Sequence, residues 1–143
     1  MSYTSSLLGG IAGLLIEAGV GVYRPDAVIS DPDTGIFRGV MPATPERALG
    51  ITDYPVEDGG GTDVITGVQI RMRAGRDPDA IADLADAVFG VLHMREHYSA
   101  GGVDVALSWR QSQAWIGQDA HGRMELTSNY YFRTSRPGPH QHE

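Results

Sequence analysis

Between Thr62 and His93 a two-residue periodicity gives way to one of three to four residues. Val64, Thr66, Val68, Ile70 and Met72 share one parity, so an extended chain places them on one face. Gln69, Arg71 and Arg73 fall on the other face. Ala74-Gly75-Arg76 turns the chain, Asp77 supplies a helix N-cap, and Pro78 follows where its missing N–H is harmless. Asp79 suits the positive end of the helix dipole. Ile81, Leu84, Ala85, Val88, Phe89 and Leu92 then form one apolar stripe on an amphipathic helix. A strand and a helix, each with one apolar face and joined by a short turn, pack those faces together.

The chain has 143 residues, enough for one domain with its own core. It has no cysteine, which excludes a disulfide scaffold, a thiol nucleophile and any Cys-based metal site. No apolar run reaches the length of roughly 18 residues that spans a membrane. Leu7–Val22 is interrupted by glycines and Glu17 and lacks a basic start, so it does not read as a signal peptide. The net charge of −7 disfavours nucleic-acid binding, which needs clustered cations. All 11 cationic side chains are Arg, a bias that fits a GC-rich genome.

Upstream, Thr4, Ser5 and Ser6 offer N-caps to a helix carrying Leu7, Leu8, Ile11, Leu14, Leu15 and Ala18 at helical spacing. Gly9, Gly10 and Gly13 weaken that helix but permit close approach of a neighbouring backbone. Val20–Tyr23 leads into a short extended segment, and Asp31–Gly35 is a turn. Brief and longer strands are expected over 36–40 and 48–56, with Pro55 marking a strand edge or end. Glu57–Asp63 reads as an exposed hairpin loop. Beyond the second helix come a linker at 99–102, a strand from Val103 to Arg110, a connection from Trp115 to Gly122 and a last strand from Met124.

The expected fold is α+β: a central, mainly antiparallel sheet of four to five strands with two helices on one face, in the order α-β-β-β-α-β-β. Residues 1–136 form the single domain, and 137–143 are expected to be a disordered tail.

His93-Met94-Arg95-Glu96-His97 fits the H-x-x-E-H pattern of some zinc peptidases, with His93, Glu96 and His97 as the metal-site residues. At a helix C-terminus, however, His and Arg simply suit the dipole. Gly59-Gly60-Gly61 lacks the Lys-Ser/Thr ending of a phosphate loop and reads as a mobile or partner-ordered loop. Trp109 and Trp115 read as core or interface residues. No Ser/His/Asp set converges, so the residues point to no catalytic, cofactor or metal site. Arg71, Arg73 and Arg76 form a basic cluster, read as an exposed sheet face that meets acidic loops or a neighbouring subunit, with an anion site as the alternative.

Four passages together resemble the tail-terminator proteins of long-tailed bacteriophages, also called minor capsid or minor tail proteins. They are Tyr3–Ala12 with Ala18–Pro25; Gly67–Arg73; Asp77-Pro78 with Asp83–Phe89; and Trp109–Ser112 with Gly117–Asp119, Gly122-Arg123 and Asn129–Tyr131. The resemblance implies an α+β virion protein without catalytic residues. It implies a ring, hexameric in this family, that caps the tail tube, stops its polymerisation and offers a joining surface to the head-side connector. Its site would be the head-proximal end of the tail, after assembly in the host cytoplasm, with DNA passing unbound through the lumen.

A closed ring needs two different patches that meet head to tail. The candidates for subunit or partner contacts are Arg71, Arg73 and Arg76 on one side, and Glu57, Asp58 and Asp63 on the other. The alternatives are a head–tail connector, a tail-tube subunit or, from the His93–His97 motif, a small metal hydrolase.

Overall fold

The computed structural model describes residues 2–141, so the tail expected over 137–143 lies in part, at 142 and 143, outside the described residues. The elements run α1 (Tyr3–Glu17), β1 (Thr34–Arg38), β2 (Arg47–Glu57), β3 (Asp63–Ala74), α2 (Pro78–Leu92), β4 (Arg95–Ala100), β5 (Val103–Gln118) and β6 (Met124–Ser135). No helix among them is long and apolar enough to cross a membrane.

β3 is the centre. Val64, Thr66, Val68, Ile70 and Met72 are all buried, as their parity predicts. On α2, Ile81, Leu84, Ala85, Val88 and Leu92 are buried against the same core, while Phe89 is half-exposed. Asp77 caps α2 through Oδ1, which accepts from the Asp79 amide at 2.9 Å. α1 contributes Leu7, Leu8, Ile11, Ala12 and Leu15 to the same cluster, so both helices cover one face of the sheet. α1 begins earlier than expected, because Ser2, not Thr4, Ser5 or Ser6, is the cap: its Oγ accepts from the Ser5 amide at 3.0 Å.

The sheet corrects two expectations. It has six strands, in the order β1-β2-β3-β6-β5-β4, where four to five were expected. It is also mixed, because β1 pairs with β2 in parallel while all other pairs are antiparallel. β1 covers Thr34–Arg38, where a brief strand was expected over 36–40, and ends ahead of Pro42 and Pro45. The chain then crosses back over residues 39–46 and enters β2 in the same direction.

The added strand is β4. It is nearly all exposed, with only Ala100 buried, so it shows no alternation. Its support comes from other elements. Tyr98 Oη donates to Ser108 Oγ at 2.6 Å, and Ser108 Oγ donates to the Leu92 carbonyl at 2.7 Å. β5 runs on to Gln118, past the expected end at Arg110, so the first half of the connection expected from Trp115 to Gly122 is strand. Bulges between Arg110 and Ser112 and between Trp115 and Gly117 reset the parity and erase the alternation. Ser128, a polar exception on the inner face of β6, is buried and donates to Gln113 Oε1 at 2.7 Å.

One glycine of α1 does what the sequence permits. A Cβ at Gly10 would collide with the Gly101 amide nitrogen and the Ala100 carbonyl carbon, so α1 rests directly on the β4–β5 turn. Gly101 itself has φ of 60°. Gly10→Val should therefore destabilise the domain by about 1–3 kcal/mol through overpacking, while Gly9→Ala, with open space around it, should be neutral or stabilising. Urea denaturation of the two variants tests the contrast.

Candidate functional site

The basic cluster does not lie together on an exposed face. Arg71 is exposed, and its Nε donates to Glu125 Oε1 at 2.7 Å across the β3–β6 pair. Arg73 is buried, at 4% exposure, which corrects the reading of it as an exposed group. Its guanidinium donates to three main-chain carbonyls: Pro42 at 2.8 Å, Pro45 at 2.7 Å and Glu46 at 3.2 Å. Burial, with Arg123 adding to it, pushes the Arg73 guanidinium below its ordinary value, against the opposing pull of Asp119, Glu125 and Glu46. Arg76 is exposed and donates to the His121 carbonyl at 3.0 Å.

A second arginine completes this arrangement, and nothing in its local sequence set it apart. Arg123 Nε donates to Asp119 Oδ2 at 2.7 Å, and Arg123 Nη1 donates to the Ala43 carbonyl at 2.7 Å. Arg73 and Arg123 thus clamp the crossover loop between β1 and β2 by its backbone. Partial burial opposes ionisation of Asp119, but the Arg123 amide and guanidinium and the His121 amide outweigh it. They hold the carboxyl at about 2, below its ordinary 3.8.

The acidic candidates sit at the opposite end of the sheet. Glu57 and Asp58 are exposed and have no ion pair among the described residues. Asp63 is engaged by Arg133, whose Nη2 donates to Oδ2 at 2.6 Å, and this bond holds the Asp63 carboxyl below its ordinary value. Asp63 opens β3 and Arg76 follows its end. β3 is 12 residues long, so its two ends lie at most about 36 Å apart, and Asp63 and Arg71 about 26 Å.

The H-x-x-E-H residues are drawn apart. α2 ends at Leu92. His93 caps it, stacks on Phe89 with ring centroids 4.2 Å apart, and accepts the Arg110 amide at Nδ1 at 3.1 Å. Met94 and His97 adopt positive φ, and Glu96 and His97 stand on the exposed edge strand. Two imidazoles one helical turn apart are therefore not formed.

Two further features escaped the sequence reading. On the outer face, the Tyr54 ring lies over Gly67, and its Oη donates to Asn129 Oδ1 at 3.1 Å. Asn129 Nδ2 then donates to Ser112 Oγ at 3.1 Å, which links β2, β6 and β5. At one sheet edge, β4 covers β5 only up to Ser108, so the outer edge of β5 from Gln111 to Gln118 has no partner strand among the described residues. Trp115 and Ile116 lie on it at 55% and 50% exposure. The available signal was the run Gln111-Ser112-Gln113-Ala114-Trp115-Ile116-Gly117-Gln118 itself, which has no charge and no proline.

A family model described as bacteriophage tail terminator protein matches residues 14–136. The chain belongs to the bacteriophage tail terminator family. A comparison with curated proteins gave no match. Among solved structures, a chain from "Virion of native gene transfer agent (GTA) particle" is similar with a TM-score of 0.59 and 10% identity, covering 94% of this chain and 95% of that one. At that identity the likeness is one of fold.

As a tail terminator family member, the protein is a non-enzymatic structural component of a phage virion. In that setting the two-arginine clamp is structural: it holds a loop in place without presenting a reactive group. Removing the Arg73 guanidinium strands three carbonyls, so Arg73→Met should cost about 2 kcal/mol or more. Asp119 adds a pH dependence. Its pKa is lowered on folding, so its contribution is present above its ordinary 3.8 and is lost as pH falls towards about 2. The thermal midpoint should fall across that window in the wild type, and less steeply in Asp119→Asn.

Proposed function

We propose that this tail terminator protein closes into a ring, a hexamer, on the head-proximal end of the tail tube. There it stops polymerisation of the tube protein and presents the surface that joins the head-side connector. It assembles in the host cytoplasm, and DNA passes through its lumen without specific binding. The observation that carries this reading is the family match over residues 14–136. The fold-level likeness to a virion chain over 94% of the sequence supports it. The net charge of −7 also fits, because a basic lumen would hold a passing duplex.

The charged candidates take their place within that reading. Arg71 and Arg76 are exposed at one end of the sheet, and Glu57 and Asp58 at the other. We assign them to contacts with neighbouring subunits or with the tube and connector proteins. Arg73 and Asp63, also candidates, act through the groups they already hold: Arg73 keeps the crossover loop in position, and Asp63 positions Arg133.

Native mass spectrometry across a concentration series, with negative-stain images, tests the proposal. The expected outcome is a closed ring of six, alone or on addition of tail tubes, with tube growth arrested at substoichiometric protein. Long filaments of the protein alone would replace this reading with that of a tube subunit. Unimpeded tube growth with the protein bound only to heads would replace it with that of a connector. Arg76→Glu should weaken assembly at least tenfold with little change in the monomer's thermal midpoint, since its contact is an exposed bond to the His121 carbonyl, whereas Arg71→Glu would also strand the buried Glu125 and lower the midpoint.

A further inference from the structure

The edges of the sheet are closed or guarded in all but two places among the described residues. The outer edge of β1 is covered by Val22, whose amide donates to the Thr34 carbonyl at 2.9 Å and whose carbonyl accepts from Ile36 at 2.8 Å. β4 is short, carries Arg95, Glu96 and His97, and has α1 resting on its end. The first open stretch is β5 from Gln111 to Gln118, beyond the reach of β4. The second is β2 from Thr52 to Glu57, because β1 covers β2 only as far as Ile51. An open edge is a template for another strand, and the β5 run has none of the charges or prolines that normally blunt one.

The two open runs are complementary. From β2 to β3, from β3 to β6 and from β6 to β5, each pairing is antiparallel, so β2 and β5 run in opposite directions. A second copy in the same orientation would therefore bring its β2 antiparallel to β5 of the first. The runs also lie at opposite ends of the sheet. The β5 run is aligned with residues 124–129 of β6, and these with β3 from Gln69 onward. The β2 run is aligned with the other half of β3, from Ile65 to Gln69. β4 fills the half of one edge that the β5 run leaves, and β1 fills the opposite half of the other. Two copies offset by half a strand therefore meet as a lap joint in which neither β1 nor β4 has to move.

The geometry points to this joint as the subunit interface: β5 Gln111–Gln118 of one copy adds the β2 run Thr52–Glu57 of the next, making one continuous sheet around the ring. This assignment rests on the ring reading above and specifies its contact. It is heterologous, with two different patches meeting, as a closed ring requires, and its main-chain pairing is β-augmentation. The Gly39 amide donates to the Ile51 carbonyl, so on this edge the main-chain groups of Asp53 and Pro55 face outward while those of Thr52 and Tyr54 face β3. Pro55 has no amide, which leaves the Asp53 amide and carbonyl and the Pro55 carbonyl to pair ahead of the bulge at Glu57. Trp115 and Ile116 supply the apolar contact on one side and Val56, also exposed, on the other. Charge adds direction. The outward stripe Asp79, Asp83 and Asp86 of α2 is exposed on the helix-covered side of the sheet, and the exposed Arg38 ends β1 where the β2 run begins.

The chain has no cysteine, so thiols can be introduced without interference. Paired variants would carry Ala114→Cys or Ile116→Cys together with Thr52→Cys or Val56→Cys, assembled alone or on tail tubes and then oxidised. The expected result is a disulfide ladder that extends past the dimer to the full ring for at least one pair, with no ladder from any single variant. Trp115→Arg/Ile116→Asp should abolish assembly with an unchanged monomer midpoint, since both side chains are exposed. Rings that give no ladder and that survive the Trp115/Ile116 substitutions would overturn the joint and leave the ring standing. Dimers from single cysteines alone would show a two-fold contact and overturn it as well. Failure of the wild type to assemble, alone or on tubes, would overturn the ring and the joint together.

Discussion

The burial of one face of β3 is the constraint on which the other elements depend. β3 is paired on both sides over nearly its whole length, with β2 on one flank and β6 on the other. Its inner side chains are removed from water by α2, which comes after it across one short turn. A slip of one residue would exchange Val68, Ile70 and Met72 for Gln69, Arg71 and Arg73, so the register is strongly fixed. Around that axis β6 and β5 extend the inner face with Leu126, Tyr130, Phe132 and Val105, and α1 closes what α2 leaves open. Tyr3 ties α1 to the sheet at its start, where its hydroxyl shares hydrogen bonds with Thr66 at 2.7 Å and Thr134 at 2.6 Å.

Legibility in the sequence tracks this division between core and solvent. Elements whose side chains divide cleanly between the two, such as β3 and α2, announce themselves by period. In β5 the alternation of Val103 and Val105 is already broken by a bulge before Leu107, so that Ser108 is buried and Leu107 and Trp109 are only half-buried. β4 does not announce itself, because five of its six residues keep contact with water and its place is decided by α1 and Ser108. The far half of β5 does not either, since each bulge shifts the parity of the residues beyond it. The parallel pairing of β1 was hidden for another reason: prolines mark where a strand stops, but they carry no information on the direction of the next one.

The candidate contacts were legible as residue types but not as neighbours. Arg71, Arg73 and Arg76 alternate along one strand and its turn, and sequence spacing predicts a common exposed face. The carbonyls of Pro42, Pro45 and Glu46, some thirty positions upstream, draw Arg73 out of that set. Nothing local to Arg73 signals this, because the crossover loop is brought to it by the β2–β3 register, which pairs Ala48 with Arg73 just after the loop ends. The open edge of β5 had a sequence signal of a different kind, an extended run with neither charge nor proline. Its meaning required knowing where β4 stops.

The hydrogen bonds by which Arg73 and Arg123 clamp the crossover loop go to main-chain oxygens, and Glu46 is also held by its side chain, in a 3.7 Å ion pair with Arg123. A carbonyl is present whatever residue carries it, so these hydrogen bonds do not depend on the side chain at each position. Pro45 is buried, but Pro42, Ala43 and Thr44 are exposed. Their side chains are therefore free to diverge under selection while the loop's path stays constant. The fold holds in this loop a segment that evolution can rewrite to track a changing neighbour, without renegotiating the core beneath it.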